Sequence, residues 1–219
     1  MEIVQVSLLG GLLALDGTSV GQFMFSRPLV AGVLVGWLLG DPMGGVVVGT
    51  ILELYLLVSF PTGGSRFPEG ATATVVAVAA SSVTDATGAL PIAVAVGLVW
   101  GQLAGVSVSF MRKLNSRIVP EAGVRHPGSG GVVAIHLAAI FIDFLRGSIV
   151  TLLGVLIGRE VVSQLHQPWG LSPAASMGLL LVGGAASLGI LLRDLGGFRK
   201  RKVLFAVGLV LGVLGGSLL

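Results

Sequence analysis

Six charged residues, Asp16, Arg27, Asp41, Glu53, Arg66 and Glu69, stand singly within a strongly apolar, glycine-rich stretch of the chain. A charge at bilayer depth costs about 2.5 to 3.5 kcal/mol on insertion scales, so charges kept isolated in apolar runs point to a function. The chemistry that fits them is recognition of a polar solute. Carboxylates and amides accept and donate paired hydrogen bonds to hydroxyl groups inside a mostly apolar pocket. Glu53, in the run TILELYLLV, has no opposite charge within one helical turn and is the first candidate for a ligand contact. The alternative for it is an ion pair with Arg27 or Arg66 from another segment. Asp16 and Glu69 lie at the edges of apolar runs and serve either as ligand contacts or as loop caps. Gln22 offers its amide either to a ligand or to a neighbouring helix. The hydroxyls of Thr18 and Ser19 bond backbone at a helix boundary more readily than they bond a ligand.

Other charges read as architecture. Arg27 and Asp41 each precede a proline, where the chain is pushed out of helical geometry and a new helix can begin. Asp143 and Arg146 are three residues apart on one helical face and are expected to neutralise each other. His136, seven residues before Asp143, shares that face and is expected to be a buried, hydrogen-bonded histidine. The three histidines, His126, His136 and His166, show neither a nucleophilic-triad order nor metal-ligand spacing, so no catalytic residue and no metal site is expected. The absence of cysteine excludes disulfides and thiolate chemistry. No phosphate-binding glycine loop appears, and no cofactor is expected.

The elements that must position these residues are membrane helices. With 54% hydrophobic and 11% charged residues and a mean hydropathy of +1.00, the chain lacks the polar surface that a water-soluble domain of 219 residues shows. Residues 89–111, 132–158 and 174–192 are long enough to cross a hydrocarbon core, and 203–219 forms a shorter final span. Residues 28–39 and 71–80 are apolar but only about half a crossing long. Short segments broken by glycine and proline predict re-entrant or discontinuous helices, which are tolerated only where freed backbone groups face protein or a watery cavity. The start, MEIVQVSLLG, carries Glu2 where a secretory signal carries positive charge, so a retained N-terminus is expected.

Nine of the 13 basic residues fall in two stretches. Arg112, Lys113, Arg117 and Arg125 lie in 112–131; Arg193, Arg199, Lys200, Arg201 and Lys202 lie in 193–202. Both are expected to be cytoplasmic loops, with the connector 159–173 and the C-terminus on the opposite side. They suit contact with anionic lipids, docking of a soluble partner, or both. No basic soluble domain exists to bind nucleic acid.

The order Asp16-Gly17-Thr18, Gln22, Ser26-Arg27-Pro28, Gly40-Asp41-Pro42 and Glu53-Leu54, followed by a Pro-Thr-Gly-Gly loop and Pro68-Glu69, resembles the IIC subunit of the mannose/fructose/sorbose class of bacterial phosphotransferase-system permeases. The likeness is densest over residues 10–80; Arg66-Phe67 stands where a more apolar stretch is usual. It implies a subunit that is not an enzyme on its own. Such a subunit pairs with a IID membrane subunit in an oligomeric complex of the cytoplasmic (inner) membrane. It binds and translocates a hexose-type sugar, which soluble IIA and IIB proteins phosphorylate through phosphohistidines carried on those partners.

The sequence therefore predicts an all-α, polytopic membrane protein, a single domain over 1–219 in which 1–88 holds the sugar-site region and 89–219 the spanning helices. The expected sugar contacts are Glu53, Asp16, Gln22, Glu69 and Thr18, with Arg27, Asp41 and Arg66 as supporting residues. Two other functions fit the residues: a proton-coupled transporter in which Asp16 and Glu53 carry protons, and a scaffold subunit that binds no solute.

Overall fold

Two helix starts in the first third fall on prolines. The computed structural model describes residues 1–59, 66–118, 128–194, 196, 199 and 201–217. Arg125, His126, Lys200 and the Pro-Thr-Gly-Gly loop named above lie outside the described residues. The described residues form α1 (Glu2–Thr18), α2 (Pro28–Leu38), α3 (Pro42–Tyr55), α4 (Gly70–Ser81), α5 (Ala89–Ile118), α6 (Ser129–Leu165), α7 (Pro173–Asp194) and α8 (Lys202–Ser217). Arg27 is extended, with φ −67° and ψ 136°, and Pro28 opens α2 without wasting an amide donor. Asp41 caps α3: its Oδ1 accepts the Gly44 N–H at 2.9 Å, and Pro42 follows as the first helical residue.

Among the described residues three helices, α5, α6 and α7, are long and apolar enough to cross a membrane. Their directions define two ends. The C-termini of α5 and α7 and the N-terminus of α6 share the basic end; the opposite end is called the far end here. Two expected boundaries shift. Arg112, Lys113 and Arg117 ride on the last turns of α5 rather than in a loop, and residues 159–165 of the expected connector continue α6. At 37 residues α6 extends about 55 Å, well beyond a hydrocarbon core of roughly 30 Å. Polar residues at the ends of both helices therefore stay helical without entering the core.

The first four helices are about 17 to 26 Å long, each short of a full crossing. Helix α1 runs antiparallel to α6: Gly10 meets Thr151, Gly11 meets Ser148, and the Thr18 hydroxyl reaches Asp143 near the middle of α6. Helix α4 runs antiparallel to α5, and the Glu69 N–H donates to the Gly101 carbonyl, part-way along that helix, at 2.9 Å. Tyr55, at the end of α3, packs on Gly183 in the middle of α7. Hairpins α1–α2 and α3–α4 thus both enter from the far end and turn at mid-depth, the discontinuous architecture that the broken apolar runs predict.

Small residues make this possible. A methyl group at Gly36 would stand 2.8 Å from the Gly45 Cα, and one at Gly49 would stand 2.6 Å from the Pro28 carbonyl oxygen, so α2 and α3 touch backbone to backbone. Helix α4 is the hub: every residue from Ala71 to Ala80 is buried, which its run of alanine, valine and threonine allows against α1, α2, α3, α5 and α6. By contrast α8 is exposed from Lys202 to Leu211, an apolar surface suited to lipid.

Candidate functional site

The two mid-depth turns face each other across a cavity of about 50 Å³. Thr18, Ser26, Arg27, Ser59 and Glu69 line it with polar groups, and Leu13, Leu56, Phe67 and Pro68 complete the wall. Pro28 and Gly70, the first residues of α2 and α4, also border it, so two helix N-termini direct their partial positive charge inward. That combination of a carboxylate, hydroxyls and helix-end amides suits a neutral, hydroxyl-rich ligand. A volume of about 50 Å³ holds a few waters, whereas ligand pockets usually measure about 300 to 1,000 Å³.

Two of the five expected contacts line this cavity. Glu69 is 3% exposed at its wall, and Thr18 sits opposite with its hydroxyl 2.7 Å from Asp143 Oδ2 and 2.9 Å from the Ala14 carbonyl. The other three stand behind it. Asp16 is buried and accepts the N–H groups of Phe23 at 2.6 Å and Ser26 at 2.8 Å. Those bonds hold a turn in which Gln22 (φ 55°) and Met24 (φ 69°) adopt left-handed geometry that non-glycine residues avoid. Gln22 itself is exposed on that turn. Glu53 is taken up by Arg27: Oε1 receives Nε at 2.9 Å and also Nη2, while Oε2 receives the Leu29 N–H at 3.3 Å. This is the ion pair that the sequence left open for Glu53, and it fixes the Arg27 guanidinium at the cavity edge.

Of the supporting residues, Arg66 is exposed beside Phe67. Asp41 lies at the far end, where it lines a second, polar cavity of about 310 Å³ with Asp85, Ser81 and Ser82. One expectation is corrected. His136 is exposed rather than buried, because α1 stops at Thr18, level with Asp143, and leaves the preceding turns of α6 uncovered. His166 at the end of α6 has its Nδ1 2.9 Å from the Val162 carbonyl.

What the sequence missed is the partner of Glu69. Arg146 Nε does pair with Asp143 Oδ1 at 2.7 Å, as the three-residue spacing predicts, but its other nitrogens cross to α4. Nη2 meets Glu69 Oε1 at 2.8 Å, Nη1 meets Oε2 at 3.3 Å, and Nη1 also donates to Ser107 of α5 at 2.9 Å. Both side chains are nearly buried, at 7% and 5% exposure. Removing Arg146 would leave the Glu69 and Asp143 carboxylates uncompensated in a low-dielectric interior. The signal that could have joined them is on the Glu69 side: it is an isolated charge in an apolar region and calls for a partner, although 77 residues separate it from Arg146. Ser26 and Ser59 gave no comparable signal.

Comparison with known proteins bears on the family and the fold. A family model described as the sorbose-specific IIC component of the phosphotransferase system matches residues 1–211. The chain is 26% identical over 179 residues to a sorbose-specific EIIC component of Lacticaseibacillus casei, covering 77% of this chain and 60% of that protein. It is 24% identical to the mannose-specific EIIC component of Escherichia coli K12 (84% of this chain, 68% of that one) and 31% identical to the fructose permease IIC component of Bacillus subtilis 168 (74% and 61%). It thus spans about 60% to 68% of the length of these relatives. Two solved structures share the fold at 20% identity. One, titled only as a membrane protein, has a TM-score of 0.69 and covers 96% of this chain and 84% of its own. The other, a complex of the mannose transporter ManYZ with microcin E492, has a TM-score of 0.62 and covers 97% and 86%. With a match across nearly its whole length and the short-helix architecture to go with it, this chain belongs to the family of sorbose-type IIC membrane components of the phosphotransferase system.

Proposed function

We propose that this chain is the sugar-binding, translocating subunit of a phosphoenolpyruvate-dependent phosphotransferase permease in the bacterial inner membrane. It crosses that membrane several times with its basic end in the cytoplasm. The observation that carries the reading is the mid-depth cavity, where Glu69, Thr18, Ser26 and Ser59 meet the N-termini of α2 and α4. Glu69 accepts sugar hydroxyls, Thr18 and the serines exchange hydrogen bonds with them, and Arg27, braced by Glu53, closes the edge. Asp16 shapes the turn that brings Ser26 and Arg27 into place, and Gln22 rides on that turn.

A hexose-type sugar entering from the far end is held at mid-depth and phosphorylated from the cytoplasmic side by a IIB protein charged through IIA. The charged product cannot return through an apolar wall, which makes uptake one-way. A IID-type membrane subunit supplies the rest of the pathway, lipid covers the apolar surface, and the phosphohistidine chemistry stays on the soluble partners. The test is reconstitution in vesicles with phosphoenolpyruvate, the general phosphotransfer proteins, IIA, IIB and IID, offering mannose, fructose and sorbose in turn. Sugar phosphate should form only when every component is present. Formation without IIB or IID, or solute uptake driven by a proton gradient alone, would refute the assignment.

A further inference from the structure

Arg146 does not line the cavity, yet its guanidinium touches both sides of it through other groups. On one side it donates to both oxygens of Glu69, whose Oε2 also accepts the Thr72 hydroxyl at 2.6 Å. On the other side its Nε holds Asp143 Oδ1, and Asp143 Oδ2 in turn accepts the hydroxyls of Thr18 and Ser19 at the end of α1. A third branch reaches Ser107 on α5. One side chain on α6 therefore ties together α1, α4 and α5 at the depth of the cavity. The groups facing it are Glu69 from α4, Asp143 from its own helix, and the hydroxyls of Thr18, Ser19, Thr72 and Ser107.

We infer that Arg146 is the positioning residue of this site: its planar fork sets the Glu69 carboxylate and, through Asp143, the Thr18 hydroxyl, so that both walls are held at one spacing for the sugar. The inference rests on the function proposed above and adds a residue that never touches the ligand. The shape of the group is central. Four N–H vectors of a guanidinium reach three elements at fixed angles; a lysine ammonium supplies charge from a single point and cannot span them.

The test is a double-mutant cycle in the assembled membrane complex, with binding of D-mannose, D-fructose and L-sorbose measured at equilibrium. Arg146→Lys should weaken binding of the preferred sugar about tenfold while the complex still assembles, because one point contact replaces the fork. Glu69→Gln alone should weaken it at least as much. The double variant should lose far less than the product of the two, since Arg146 acts in part through Glu69. Wild-type affinity in Arg146→Lys, or losses that multiply, would overturn the inference.

The second readout needs no sugar. The chain has no cysteine, so Ser26→Cys introduces a single thiol at the cavity wall. Arg146→Lys should speed its labelling by a small maleimide several-fold, by releasing the Thr18–Ser19 tether, and an unchanged rate would overturn the inference. If the wild-type complex binds none of the three sugars, the sugar assignment fails by itself, and the labelling rate still decides the role of Arg146.

Discussion

Replacing Glu53 by glutamine separates two roles that the sequence alone could not. In the structure Glu53 Oε1 accepts two bonds from Arg27 and Oε2 accepts the Leu29 N–H, with both ionic side chains about four-fifths buried. Hydrogen bonds to charged groups contribute about 1.5 to 3 kcal/mol, roughly twice the neutral value. Glutamine keeps an oxygen for Arg27 but removes the charge, so about half of that contribution goes at each of these bonds. The expected loss is about 2 kcal/mol, which for a domain of this size lowers the melting temperature by about 4 to 8 °C. Sugar affinity should fall only a few-fold, because Glu53 acts through the placement of Arg27. The assay pairs a thermal-shift measurement on the purified complex with equilibrium binding of the preferred sugar. An unchanged melting temperature together with abolished binding would make Glu53 a direct ligand contact, the role that its isolation in TILELYLLV first suggests, and the reasoning from the ion pair would fail.

Two further outcomes follow from the packing and the charge pattern. Gly36→Ala places a methyl group 2.8 Å from the Gly45 Cα, and overpacking of this kind costs about 1 to 3 kcal/mol; thermal shift should show the loss, and a variant as stable as wild type would mean that α2 and α3 can separate freely. Neutralising Arg199, Lys200, Arg201 and Lys202 together should slow sugar phosphorylation by limiting IIB more at low salt than at high salt, provided orientation is unchanged. Equal rates at both ionic strengths would leave these residues as membrane anchors.

The membrane class, the three long spans and the half-length helices at Pro28 and Gly70 were legible in the sequence because they depend on local properties. Hydropathy over twenty residues decides whether a helix can cross, and proline fixes where one can start, whatever surrounds it. The same locality made the Asp143–Arg146 pair readable, since three residues on a helix set the distance. Burial was less legible. His136 shares a face with Asp143, and only the length of α1 decides that one is covered and the other is not.

The site divides along the same line. By itself the sequence determined which side chains carry charge into the apolar region, and that charges kept there point to a function, because a charge at bilayer depth is costly to keep. Tertiary structure alone decided the partners: Arg27 took Glu53, Arg146 took Glu69, and Asp16 turned to backbone amides. Those choices depend on how two hairpins from the far end meet α6 at mid-depth. That meeting is fixed by glycine and alanine contacts between segments far apart in the chain, and neither spacing nor hydropathy along one segment contains it.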